Sequence, residues 1–277
     1  MAKPLVSIII PAYNEEKVIE CLLASINNQS YPRIESIVID DSSTDGTFKT
    51  ASRMATVAIK RKHAERSIQR NFGASKAHGQ YLIFLDADME LTSDVVSECV
   101  QTIQKDSTIG AIAIPELPKA TNHLEKIKAF ERSFYSDFGD PDTDAARFFP
   151  KKIFDQIGGY DTSLTGPEDW DLPENVVRKG YKVGRISSRI KHYERIRSIL
   201  HLLKKKYYYG ISSHRYFKKH KLSLIGPKTI YFLRPIFYKN WQRLVQNPGL
   251  TVGMIVVLTL EQFFGGLGYL VGRITKA

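Results

Sequence analysis

Carboxylates gather in this chain at the ends of apolar runs. Asp86 and Asp88, separated only by Ala87, follow Tyr81-Leu82-Ile83-Phe84-Leu85, and Asp40-Asp41 follow Ser36–Ile39. Asn14, Glu15 and Glu16 come just after the β-branched run Leu5–Ile10, which ends at Pro11. Two acids one residue apart either hold a cation or repel each other, and oxygen ligands of this type suit Mg²⁺ or Mn²⁺. Such a cation is in turn suited to bridging phosphates. Taken alone, Asp86-Ala87-Asp88 reads equally well as a strand running out into a solvated acidic turn.

The elements that would carry these groups alternate regularly. Strands are expected at Leu5–Ile10, Ser36–Ile39, Thr56–Ile59, Tyr81–Leu85, Ile109–Ile114 and Tyr181–Ile186. Between them, Asn14 is a plausible N-cap of a helix that runs through Asn27. Further helices are expected from Thr47 to about Ala55, at Ser67–Lys76 and at Ser93–Lys105. Strand–helix repetition with short loops is the pattern of a mostly parallel sheet covered by helices. In such a sheet, polar groups at the carboxyl ends of the strands converge on one crevice. No G-x-G-x-x-G follows the first strand and no G-x-x-x-x-G-K-[ST] occurs, which argues against a dinucleotide oxidoreductase and a P-loop NTPase.

Charge divides the chain. The 277 residues carry a formal net charge of +11. From Lys191 onward there are 16 Lys and Arg against two acids, Glu194 and Glu261, which leaves 24 basic and 27 acidic residues in the first 190. Such asymmetry points to a separate partner for the C-terminal part, nucleic acid or an anionic membrane. Cys21 and Cys99, both in expected helices, read as small buried residues of a reducing compartment. A strand in the first few residues leaves no room for a signal peptide.

Five motifs in order now carry a resemblance. Val6-Ser7-Ile8-Ile9-Ile10-Pro11-Ala12-Tyr13-Asn14-Glu15-Glu16, Val38-Ile39-Asp40-Asp41-Ser42-Ser43-Thr44-Asp45-Gly46-Thr47, Asp86-Ala87-Asp88, Gly158-Gly159-Tyr160-Asp161 and Glu168-Asp169-Trp170-Asp171-Leu172 resemble the family 2 inverting glycosyltransferases. Within that family the chain is similar to polyprenyl-phosphate mannosyltransferases. The resemblance spans roughly residues 5–215 and implies an α/β, Rossmann-like GT-A fold. It also implies a nucleotide-sugar donor, GDP-mannose first and UDP-sugars next. Pro167 stands where the family commonly has glycine, so the loop before Glu168 is expected to differ in shape.

The resemblance assigns roles. Pro11, Ala12, Tyr13, Glu15, Asp41 and Ala87 would line the base and ribose, although Glu15 serves equally well as a helix-start acid. Arg70, in Arg-Asn-Phe-Gly, would lie near the donor phosphates. Asp88 would ligate the metal, Asp86 would contact the ribose or the metal through water, and Glu90 and His192 are further candidate ligands. Asp169 is the expected base, since an inverting displacement needs one carboxylate to take the acceptor's proton. Its neighbours Glu168 and Trp170 are candidates for acceptor binding, at the start of a helix Glu168–Lys179.

From Ile196 on, apolar and basic residues interleave, with many Tyr and a Trp, as suits a membrane interface. Leu250–Leu260 and Phe263–Val271 form an apolar tail about long enough for one span. Glu261 and Gly265-Gly266 within it also permit a re-entrant hairpin, and a soluble oligomerisation helix pair is the bland alternative. The expected organisation is therefore a catalytic domain at 1–192, basic interfacial helices at 193–248 and a membrane-embedded segment at 249–277. The expected function is metal-dependent transfer of a sugar to a lipid or lipid-linked acceptor at the cytoplasmic face of the cell membrane, with no nucleic-acid partner. A transferase for soluble acceptors and an inactive, membrane-tethered nucleotide-sugar-binding protein are the rivals.

Overall fold

The computed structural model describes residues 3–140 and 144–275. In chain order the first elements are β1 (Val6–Ala12), α1 (Ile19–Asn27), β2 (Ile34–Asp40), α2 (Thr47–Met54), β3 (Val57–Lys60), α3 (Arg66–Lys76) and β4 (Tyr81–Phe84). Then follow β5 (Met89–Leu91), α4 (Val95–Lys105), β6 (Ile109–Ala113), β7 (Glu116–Lys119), α5 (His123–Phe138), β8 (Ala146–Pro150) and α6 (Lys151–Gln156). The chain continues with α7 (Glu168–Arg178), β9 (Lys182–Arg185), β10 (Ile190–Tyr193), α8 (Ile199–His220), α9 (Pro235–Lys239), α10 (Trp241–Gln246) and α11 (Pro248–Thr275).

These elements form two compact units. The first comprises residues 1–116, 145–162 and 169–192, and the second 117–144, 163–168 and 193–277. The second unit thus takes in α5 and a short loop as well as the C-terminal helices.

The first unit is built on a seven-stranded sheet of order β3-β2-β1-β4-β8-β6-β9. β8 runs antiparallel to both its neighbours, and the other pairings are parallel. Alternation along β1 feeds two cores. Ile8 and Ile10 pack with Leu22 and Leu23 of α1 and Val96 and Cys99 of α4. Ile9 faces the other way, with Phe84, Ala74 of α3, and Leu172 and Val176 of α7. A sheet buried on both faces needs the continuous apolar strands that the sequence shows.

Local departures have clear causes. Asn14 does not cap α1, which starts at Ile19, because Asn14 sits at φ 53° and its Oδ1 accepts from the Thr44 N–H at 2.9 Å. Cys21 is exposed and only Cys99 is buried, because Cys21 lies off the face that carries Leu22 and Leu23 to the core. β8 was not expected from the sequence, since Arg147-Phe148-Phe149 shows too short a run to declare a period.

The second unit packs α5, α8 and α11 around Phe130, Phe134, Leu202, Phe237, Met254 and Leu258. A capping box starts α5: Asn122 Oδ1 accepts from the Glu125 N–H at 2.9 Å while the Glu125 carboxylate accepts from the Asn122 N–H. α8 and α11 meet backbone to backbone. A Cβ on Gly268 would strike the Tyr207 carbonyl oxygen, and one on Gly272 that of Ile211. Small residues three or four apart are the usual means for helices to approach this closely.

α11 is one unbroken helix of 28 residues, so Gly265-Gly266 makes no re-entrant turn. Its single acid, Glu261, points inward, with Lys128 of α5 at 3.0 Å and Lys206 of α8 at 3.5 Å. Lys128 also pairs with Glu131. A buried carboxylate is tolerable when cations surround it in this way.

Candidate active site

The carboxyl edge of the sheet in the first unit gathers most of the expected residues. After β4 the chain turns at Asp86-Ala87-Asp88 and enters β5. β5 pairs antiparallel with β10, which places Met89 opposite His192 and Glu90 opposite Lys191. This pairing brings His192 to the turn, its Nε2 lying 3.7 Å from Asp88 Oδ1. The other ring nitrogen, Nδ1, is 2.7 Å from Glu116 Oε2. A carboxylate on one imidazole nitrogen leaves the second as a lone-pair donor, the usual support of a metal-binding histidine.

Arg70 reaches the same edge from α3. Its side chain is wholly buried, and one guanidinium nitrogen donates to Asp86 Oδ1 and another to Asp169 Oδ1, each at 2.7 Å. The flat fork of arginine is the side chain that can hold two carboxylates at once. The guanidinium also lies over the ring of Tyr160, 5.1 Å from its centroid. Arg70 therefore clamps the turn carboxylate to the expected base.

Arg147 of β8 extends this series of paired charges towards His192. It donates to Glu116 Oε1 at 2.6 Å and lies 3.8 Å from Asp86 Oδ2. The order is Asp169, Arg70, Asp86, Arg147, Glu116, His192 and Asp88, whose last member lies two residues from the third. Burial alone would raise the Asp86 carboxyl, but Arg70, Arg66 and Arg147 outweigh it and hold the group well below the usual carboxylate range.

Asp169 lies in the first turn of α7, where Pro173 leaves its carbonyl without the usual helical donor. Tyr160 is fixed from α3: Asn71 Nδ2 donates to the Tyr160 carbonyl at 2.8 Å and Asn71 Oδ1 accepts its N–H at 2.9 Å. The preceding Gly159 has φ +69°, and a Cβ there would sit 2.7 Å from Asn71 Oδ1. This is why Gly158-Gly159-Tyr160 reads as a motif.

A second cluster lies over the ends of β1 and β2. The Asp41 N–H donates to the Ala12 carbonyl at 2.8 Å, which joins the two strand ends just beyond Pro11. The Asp41 carboxylate accepts from the Ala64 N–H at 2.9 Å and from Gln69 Nε2, and pairs with His63 at 2.6 Å. Tyr13, about half exposed, sets its ring 5.2 Å from that of His63. The Glu15 backbone N–H donates to Thr47 Oγ1 at 2.7 Å.

Some candidates are engaged elsewhere. Glu90 accepts from Lys191 Nζ at 2.6 Å, and strand alternation turns this pair to the face opposite His192. Buried Glu168 accepts from the Gly166 N–H, so its carboxylate orders the Gly166-Pro167 loop. Trp170 is half-buried. Glu116 and Arg147 belong to no expected motif. Glu116, just past the strand run Ile109–Ile114, was nonetheless visible as one more carboxylate at a strand end.

Comparison with known proteins places this edge in a family. Residues 7–160, more than half of the chain, match Glycosyl transferase family 2. The chain belongs to this family.

Among its curated relatives are TuaG of Bacillus subtilis, named for teichuronic acid biosynthesis, and a beta-monoglucosyldiacylglycerol synthase of Nostoc. The first is 32% identical over 111 residues, covering 38% of this chain and 44% of the relative. The second is 34% identical over 121 residues, covering 40% and 26%. The matches thus span less than half the length of these two relatives. A mannosyltransferase from Pyrobaculum calidifontis, solved with GDP-Man and Mn²⁺, superposes with TM-score 0.62 at 20% identity, covering 99% of this chain and 80% of its own. At that identity the likeness bears on fold alone, and the family 2 member described here has the GT-A fold.

The donor set at the edge fits a divalent cation. Asp88 Oδ1 and His192 Nε2 lie 3.7 Å apart and offer one oxygen and one nitrogen, and the described residues contain no group of three or more His, Cys, Asp or Glu able to hold a metal by themselves. Mn²⁺ accepts such a mixed pair, and both Mn²⁺ and Mg²⁺ commonly take their remaining ligands from water and substrate phosphates.

Proposed function

We propose that the chain is a metal-dependent inverting glycosyltransferase that moves a sugar from a nucleoside-diphosphate donor to a lipid or lipid-linked acceptor at the cytoplasmic membrane face. The observation that carries this reading is the Arg70 bridge, which holds the donor-side Asp86 and the base Asp169 on one guanidinium. Those two carboxylates are then a fixed distance apart, as needed for attack on one side of the sugar and departure on the other.

Asp169 takes the proton of an acceptor hydroxyl as its oxygen bonds to the anomeric carbon and the bond to the diphosphate breaks. With a phosphate acceptor there is no such proton, and Asp169 orients the nucleophile. Mn²⁺ or Mg²⁺ on Asp88 and His192 would supply Lewis-acid stabilisation of the leaving diphosphate. Tyr13 and His63 offer flat faces near the base, and Asp41 reads it once His63 moves aside. GDP-mannose is the favoured donor, on the resemblance of the motifs to polyprenyl-phosphate mannosyltransferases, with UDP-sugars next. The glycolipid synthase among the relatives supports a lipid acceptor.

Release of nucleoside diphosphate by detergent-purified protein, with Mn²⁺ and a panel of GDP- and UDP-sugars, tests the reading with and without membrane lipid. Turnover should need lipid and fall at least 100-fold in Asp169→Asn and Asp88→Ala. Turnover that is indifferent to Asp88→Ala sinks the metal assignment. Turnover with soluble acceptors alone favours the rival transferase, and nucleotide-sugar binding without turnover favours the inactive binding protein.

A further inference from the structure

The C-terminal helix α11 is long enough to cross a bilayer: its 28 residues, with mean hydropathy 1.7 over an 18-residue window, extend ~42 Å at ~1.5 Å per residue. Its two faces differ sharply. One carries Met254, Val257, Leu258, Glu261, Gly268 and Gly272 into the second unit. The other is exposed and mostly apolar, with Val252 at 63%, Phe263 at 60% and Ile274 at 79%, Thr259 the one polar side chain along its middle and Arg273 and Thr275 at its C-terminal end.

A crossing helix has to bring its neighbours with it. Glu261, near the middle of α11, is tied to Lys206, and the backbones of Tyr207 to Ile211 lie directly against Gly268 and Gly272. Were α11 to span the bilayer, this stretch of α8 would sit at mid-depth, carrying the exposed Lys204 and Lys205 into hydrocarbon. Cations there are costly unless they find a partner. Lying flat asks for no such burial, since only the apolar face enters the lipid.

Charge selects the surface. From Arg195 to Thr275 the chain has fourteen Lys and Arg and a single acid, Glu261, whose side chain is fully buried. This stretch therefore shows solvent no carboxylate at all. It adds apolar and aromatic side chains at Ile225, Tyr238, Trp241 and Val245, all more than half exposed.

We infer that α11 is a monotopic anchor that lies in the plane of one leaflet of an anionic bilayer, with Glu261 kept inside the protein by Lys128 and Lys206. This rests on the membrane reading above and not on the transfer chemistry. Basic residues at an anionic surface and an apolar helix face together are the mark of in-plane binding.

The test uses full-length protein and preformed sealed vesicles of phosphatidylglycerol and phosphatidylcholine. Binding measured by co-sedimentation should drop at least tenfold on pure phosphatidylcholine, and at least tenfold on anionic vesicles for the double change Lys204→Glu and Lys205→Glu. Single cysteines at Gln246 and Thr275, in a Cys21→Ser background, then report the two ends of the helix to a membrane-impermeant maleimide. Both should label from outside to the same extent before detergent, as native Cys21 does in the unmodified chain. Labelling of residue 275 only after detergent would establish a span and overturn the inference. So would absence of vesicle binding, whether or not the protein is retained on DNA or RNA. Nucleoside-diphosphate release in the assay above that persists without vesicle binding removes the anchor while leaving the transferase.

Discussion

Replacing Arg70 with methionine tests the clamp at the centre of the site. The wild-type guanidinium is fully buried and makes two bonds of 2.7 Å to carboxylates whose side chains are 20% and 25% exposed. A hydrogen bond to a charged group contributes ~1.5–3 kcal/mol, and removing one member of a buried pair costs ~3–5 kcal/mol. Two features pull the figure to the lower end. Arg147 and Arg66 remain 3.8 and 3.9 Å from Asp86, and Asp169 can regain water. The expected loss is therefore about 3 kcal/mol at pH 7, read as a fall of roughly 1–2 M in the urea midpoint at an unchanged slope of ~2–3 kcal/mol/M. Arg70→Lys, a point charge that reaches one carboxylate at a time, should lose about half as much.

The pH dependence follows from the direction of the Asp86 shift. Its carboxyl is held below the usual range in the folded protein, so its contribution is fully present above the unfolded value of ~3.9. That contribution is lost as the pH falls from there toward the folded value. The gap between wild type and Arg70→Met should narrow below pH 4. A loss under ~1 kcal/mol at pH 7, or a gap that widens in acid, refutes the clamp.

Three further outcomes are expected. Glu116→Gln should weaken Mn²⁺ binding ~10–100-fold by isothermal titration, because the group it releases is the support of His192, and should also lower the melting temperature, because buried Arg147 loses its carboxylate partner. Gly159→Ala places a side chain at φ +69° and against Asn71, and should lower stability by ~1–3 kcal/mol in urea unfolding. Asn122→Ala removes the cap of α5 and should cost ~0.5–2 kcal/mol, seen as faster amide exchange in the first turn.

The sheet order around β1 was legible because Ile8–Ile10, Ile37–Ile39 and Leu82–Phe84 are apolar without interruption and end on acids. The same rule located Asp41, Asp86 and Asp88, and the later Glu168-Asp169 fell at a helix start as expected. The series of paired charges was hidden. Arg147 lies on a strand of five residues whose signal is only Phe148-Phe149, and its partner Glu116 comes from another strand end 31 positions away. Long-range pairing of single charged residues leaves no period or spacing to read. The fate of Asn14 was hidden for a similar reason, since a left-handed backbone held by Thr44 leaves no mark on the local pattern. In the tail, hydropathy showed a long apolar helix, but the inward turn of Glu261 depends on Lys128, 133 positions away.

The antiparallel strand β8 has a consequence for how the chain comes to be folded. Once residue 84 has left the ribosome, β3, β2, β1 and β4 can already pair as a parallel half-sheet. The free side of β4 has no partner until Ala146–Pro150 is made, and β8 must enter between β4 and β6 instead of adding at the rim. During that interval the nascent chain presents a bare hydrophobic strand edge, the form most apt to capture a second chain. Synthesis that stalls between residues 84 and 146 should therefore leave products that co-aggregate, whereas chains released after Arg185 have the whole sheet available to close.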